Sequence, residues 1–114
     1  MIIEHDDGAL QALCRTKNSC IAETWSFDSG NSWSGLKCTA LINPNAAIDA
    51  IKYDDFGFIL VYNNCKHGRY RLEVATSMDG RAWEDKHIIE ESMGEYSYPS
   101  IEVGKSGASC VVFL

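Results

Sequence analysis

Residues 26–33 read "SFDSGNSW": Ser26, Asp28, Gly30 and Trp33 stand at spacings of two, two and three between two apolar segments. The short side-chain oxygens of Ser26 and Asp28 suit bonding to amides of their own turn, Gly30 permits a positive φ, and Trp33 can close over the loop. The set describes a tight hairpin. A similar stretch, "SMDGRAW", recurs at residues 77–83, with Ser77, Asp79, Gly80 and Trp83 in the same order and one residue fewer before the Trp. The two turns start 51 residues apart. A turn written twice points to a repeated unit.

Short β-type runs flank both turns. "ALQALCR", "CIAETWS" and "LKCTALI" surround the first, and "IDAIKY", "FILVYNN", "RLEVATS" and "KHIIEE" surround the second. "YPSIEV" and "ASCVVFL" begin a third set. Runs of this length, separated by Gly, Asn and Asp, read as antiparallel strands in a meander, and no segment sustains a helical apolar period. The expected fold is all-β. Each Ser-x-Asp turn sits between the third and fourth strands of its set, and four-stranded units at this period fit β-propeller blades. The reading is one domain over 1–114: a first blade at about 1–42, a second at about 47–91 and a partial third at about 96–114, or about two and a half blades.

Composition narrows the function classes. With 16 acidic and 10 basic residues the net charge is −6, and no basic stripe interrupts the acidic scatter. Nucleic acid is therefore a poor partner, and an anionic membrane surface gains no support. The longest apolar runs, "FILVY" and "CVVFL", are strand-length, far short of a membrane span. The N-terminal stretch "MIIEHDDGALQ" lacks the basic and apolar regions of a signal peptide. The five cysteines (14, 20, 38, 65 and 110) are odd in number and form no CxxC pair. They read as small buried thiols in a reducing, cytoplasmic setting, with neither a metal nor a cofactor expected.

"SFDSGNSW" resembles the Asp box, S-x-D-x-G-x-T-W, of the six-bladed sialidase (neuraminidase) propellers, with Ser32 in place of the Thr. "SMDGRAW" resembles a tighter version. The similarity extends to "NPNAAIDAIKY", "FILVYNN" and "GEYSYPSIEV", and so over nearly the whole chain, which looks like the C-terminal part of bacterial-type sialidase domains. The resemblance implies a glycoside hydrolase removing terminal sialic acids, or alternatively a non-catalytic glycan-binding or structural propeller module. It also implies that the boxes are folding devices remote from the cleft. Asp28 and Asp79 then cap their turns, while Trp33 and Trp83 pack against blade strands.

A sialic acid carries a carboxylate on its anomeric carbon. Guanidinium groups suit that carboxylate because they offer fixed, bidentate, permanently charged donors. A Tyr nucleophile activated by a Glu avoids the repulsion that a carboxylate nucleophile would meet there. By resemblance, Arg15 at the end of "ALQALCR" and Arg69, eight residues before Ser77, take clamp positions, with Arg71 the competitor of Arg69. Tyr98, 29 residues beyond Arg69, takes the nucleophile position, with Tyr96 the alternative. Asp49, at the start of an inner strand, is a candidate sugar contact. The family's acid/base Asp, activating Glu and a further Arg come from earlier blades, and Glu4 stands too close to Arg15 to fit that spacing. The expected partners are sialic-acid glycans or another acidic sugar, and copies of the chain meeting at open blade edges. The isolated chain is expected to lack turnover.

Overall fold

Ten short strands follow one another in the computed structural model, which describes residues 1–53, 57–92, 94–104 and 109–112. Residues 54–56, 93, 105–108 and 113–114 lie outside that set, and with them part of the run "ASCVVFL". The first four strands, β1 (Ile2–Glu4), β2 (Leu10–Arg15), β3 (Cys20–Ser26) and β4 (Lys37–Ile42), form one antiparallel sheet in chain order. The next four, β5 (Asp49–Lys52), β6 (Phe58–Tyr62), β7 (Arg71–Ser77) and β8 (Asp85–Glu91), repeat the arrangement. The last two, β9 (Ser100–Val103) and β10 (Ser109–Val112), pair as an antiparallel ribbon. No helix occurs among the described residues. This is an all-β partial propeller, and the sheets stand as blades side by side.

The central sheet shows why "FILVY" is apolar throughout. Alternate residues of a strand face opposite sides, so a sheet covered on both faces needs a continuous apolar run. Phe58, Leu60 and Tyr62 join Ile3, Leu13, Ile21, Leu41, Ala50, Ala75 and Trp83 in the core between the first and second blades. Val61 joins Leu72 and Ile101 in a second core towards the third blade. Two faces are buried, and two interfaces result.

The loops that return each third strand to the fourth are the repeated turns. In the first, Gly30 N–H donates to Ser26 Oγ at 2.8 Å and Ser32 N–H to Asp28 Oδ1 at 2.8 Å. In the second, Gly80 N–H donates to Ser77 Oγ at 2.8 Å, and the amides of Arg81 and Ala82 donate to Asp79 Oδ1 at 2.8 and 3.0 Å. Both glycines have positive φ, 89° and 75°. The aspartates cap their turns, and donated hydrogen bonds lower both carboxyls: chiefly from the Ser32 hydroxyl for Asp28, chiefly from the Ala82 amide for Asp79.

Two expectations need correction. Trp83 is buried at 8% exposure, but Trp33 is 39% exposed and is absent from the core that Trp83 joins. Its indole N–H turns back to the Gly30 carbonyl at 3.1 Å. The cysteines are not all free thiols: Cys20 and Cys38 form a disulfide across β3 and β4, with Cα atoms 5.8 Å apart. A shift in the β3–β4 register between Cys20 and Ala22 accompanies that approach. Cys14 and Cys65 are free, and the side chain of Cys110 lies outside the described set.

Candidate functional site

Strand direction decides which nominated residues share an end of the molecule. The side chain of Lys52, at the close of β5, forms an ion pair with Asp6 just past the close of β1. Asp49, at the start of β5, accepts a hydrogen bond from the Ile101 amide near the start of β9. The three inner strands β1, β5 and β9 therefore run the same way. Their starting end also receives the close of β2 with Arg15, and the β6–β7 loop with Arg69. The segment entering β9, with Tyr96 and Tyr98, reaches the same end. The two Ser-x-Asp turns occupy the opposite end, so all the nominated chemistry is separated from both boxes.

Arg69 and Tyr98 are in contact. The Arg69 guanidinium lies 5.6 Å from the centroid of the Tyr98 ring, within cation–π range, and its Nη1 donates to Ser97 Oγ at 3.1 Å. No acidic side chain among the described residues pairs with Arg69. The Arg71 guanidinium instead forms an ion pair with Glu91, whose hydrogen bond holds its proton more tightly than usual. The two arginines differ in what remains available: Arg69 keeps unengaged N–H donors, while Arg71 already has a carboxylate. Arg15 is exposed at the same end, and no described contact joins it to Arg69 or Tyr98.

Tyr98 is 56% exposed and has φ of +52°, a left-handed conformation in a non-glycine residue directly before Pro99. That region is sterically disfavoured, more so before a proline, and costs on the order of 1–3 kcal/mol. The surrounding contacts must hold it there. Tyr96 is fixed differently: its hydroxyl bonds Ser92, its amide donates to the Arg69 carbonyl at 2.8 Å, and its own carbonyl accepts from Asn63 Nδ2 at 2.8 Å. Asp49 carries a backbone-linking role, its two oxygens accepting from the Ala50 amide at 3.0 Å and the Ile101 amide at 2.9 Å. That carboxylate joins the second blade to the third.

Asn63 was missed by reading the sequence for chemistry. It is fully buried just past β6, and its amide nitrogen donates to the carbonyls of Arg71 and Tyr96 at 3.0 and 2.8 Å, with Arg69 O at 3.5 Å. The available signal was a polar pair closing the apolar run "FILVYNN", where a buried strand would otherwise continue.

The profile of the BNR repeat-like domain family matches residues 1–110. The intramolecular trans-sialidase of Ruminococcus gnavus, solved with oseltamivir carboxylate, superposes with a TM-score of 0.86 at 20% identity, over 99% of this chain and 27% of that one. The leech intramolecular trans-sialidase, solved with 2,7-anhydro-Neu5Ac, gives 0.85 at 21% identity over 98% and 19%. A mutant of NanB sialidase from Streptococcus pneumoniae gives 0.84 at 26% identity, again over 98% and 19%. This chain thus spans about a fifth to a quarter of the length of these structures. No curated protein matches the chain by sequence. With a matching family profile over almost its whole length and repeated Ser-x-Asp turns in four-stranded blades, the chain belongs to the BNR repeat-like domain family and has the sialidase propeller fold.

Proposed function

We propose that this chain carries the carboxylate-gripping and nucleophile-bearing share of a sialic-acid site. Arg69 binds the sugar carboxylate, Arg15 joins it from the neighbouring blade, and Tyr98 stands in the nucleophile position. One observation carries the reading: Arg69 has no acidic partner among the described residues and is set against the ring of Tyr98, while Arg71 two residues away is neutralised by Glu91. A charged, partly buried guanidinium with unused donors is a ready seat for a carboxylate. An NMR titration with N-acetylneuraminic acid and its methyl ester tests this. The acid should perturb Arg69, Ser97 and Tyr98 and the neutral ester should not; equal responses, or none, would overturn the assignment.

A second reading, binding without hydrolysis, is favoured by Tyr98 itself. No carboxylate among the described residues is bonded to its hydroxyl, and a phenol is a weak nucleophile without a base beside it. A fluorogenic sialoside should therefore show no turnover with the chain alone. Turnover abolished by Tyr98→Phe, once blades supplying the acid, the base and a further Arg are added, would establish the hydrolase reading. Turnover indifferent to both Tyr98→Phe and Tyr96→Phe would leave glycan binding. Self-association belongs to the same proposal: Trp33, Leu36 and Ile42 expose apolar surface around β4, and light scattering that found a stable monomer at high concentration would remove it.

A further inference from the structure

We propose that Asn63 is a positioning residue that sets Arg69 against the Tyr98 segment; the proposal rests on the carboxylate-site reading of Arg69. Two loops must meet for that site to exist. One, between β6 and β7, carries Arg69; the other, entering β9, carries Ser97 and Tyr98. They belong to different blades, and neither has sheet hydrogen bonds to hold it to the other.

Asn63 stands between them. All three groups facing its amide nitrogen are carbonyl oxygens: Arg69 at 3.5 Å, Arg71 at 3.0 Å and Tyr96 at 2.8 Å. A side-chain oxygen could not face them, so the amide orientation follows from its surroundings. The Tyr96 amide completes the connection by donating to the Arg69 carbonyl at 2.8 Å. Asn63 has no solvent exposure, and its Oδ1 has no hydrogen-bond partner among the described residues. Its burial is offset by what its amide nitrogen does. That nitrogen fixes the main chain at Arg69 and two residues before Tyr98, and the Arg69–Ser97 hydrogen bond at 3.1 Å lies directly beyond that join. Asn63 also helps to hold Tyr98 in its left-handed conformation, because the residue cannot relax while Tyr96 is pinned and Pro99 follows.

The test uses Asn63→Asp, which keeps the shape but replaces the donor with an acceptor facing carbonyls, together with Asn63→Ser, which keeps one donor. Two readouts are followed in the whole chain: nuclear Overhauser contacts between the Arg69 guanidinium protons and the Tyr98 ring, and affinity for N-acetylneuraminic acid. Asn63→Asp should lose the contacts and at least tenfold in affinity while the Trp83 emission stays native. Asn63→Ser should fall between it and the wild type. Wild-type contacts and affinity in Asn63→Asp would overturn the proposal. Contacts present in the wild type and lost in Asn63→Asp, with no sugar binding in either, would support the positioning role and overturn the carboxylate reading alone. If neither variant folds, hydrogen exchange of the wild type decides: a Tyr96 amide protected as well as Leu72 supports the join, and a rapidly exchanging one overturns it.

Discussion

The two Ser-x-Asp turns are nearly the same device, and the structure uses them differently. In both, a Ser and an Asp collect the amides of the turn around a positive-φ glycine. The second turn is also the joint between two blades. The Gly80 carbonyl accepts from the buried Gln11 amide at 2.7 Å, and that amide also donates to Glu23 Oε2 at 2.9 Å. With both Gln11 N–H groups engaged, its Oε1 must accept, so the His5 Nε2 bonded to it at 2.9 Å carries the proton. Arg81 lies 4.2 Å over the Trp25 ring, and Trp83 enters the shared core. At the first turn no such contacts with another blade occur among the described residues. Its Trp33 stays partly exposed and its indole bonds the carbonyl of Gly30, the counterpart of the one Gln11 takes at Gly80. A local motif makes its own hydrogen bonds wherever it is placed; what its aromatic contributes depends on the neighbour.

The largest expected difference is between the two tryptophans. Trp83→Ala should destabilise by about 3–5 kcal/mol through loss of a large buried side chain, while Trp33→Ala should cost less than half as much. Chemical denaturation of both variants measures the gap, and equal losses would erase the distinction. The glycines should follow. A Cβ at Gly80 would lie 2.5 Å from Gln11 Oε1 and 3.0 Å from the His5 ring, whereas at Gly30 it meets nothing closer than 3.7 Å. Both Ala variants share the left-handed penalty, so Gly80→Ala should exceed Gly30→Ala by about 1–3 kcal/mol of overpacking. Similar melting shifts would mean that the joint yields without cost.

Gln11→Ala should lower stability by about 1–3 kcal/mol, because it strands the buried Gly80 carbonyl. Its effect should shrink in a Gly80→Ala background, where the joint is already disturbed, and full additivity would count against a shared contact. The smallest effect is that of acid. Both turn aspartates have folded pKa values below the ordinary 3.8, so each contributes stability that is present above that value and lost as pH falls through the folded one. Asp28→Asn and Asp79→Asn should each flatten the stability profile below about pH 4 and leave its slope near neutrality alone. A changed slope at neutral pH would point to some other group.

Much of the fold was legible because its signals are local. Alternation, turn residues and a 51-residue repeat need only neighbours along the chain to be expressed, and the four-stranded order followed from them. Of the candidate site, the sequence offered residues and not their arrangement: Arg69 and Tyr98 were nominated by spacing and resemblance, and their contact is a tertiary one. Resemblance already preferred Arg69 to Arg71; that Arg71 is occupied by Glu91 across β7 and β8 was not visible, since it depends on a pairing between strands. Asp49, a candidate sugar contact by its place on an inner strand, also accepts an amide from an inner strand of the next blade, which the sequence did not show.

The sequence by itself determined the strands and the two capped turns, because each rests on backbone preference or side-chain spacing. Tertiary structure alone decided which Trp is buried, that Cys20 meets Cys38, which arginine keeps its donors, and that Asn63 joins two blades. The physical reason is the same in each case. Burial and pairing are set by what arrives from the other side of an interface, and residues 33 and 83 carry the same side chain whatever arrives there.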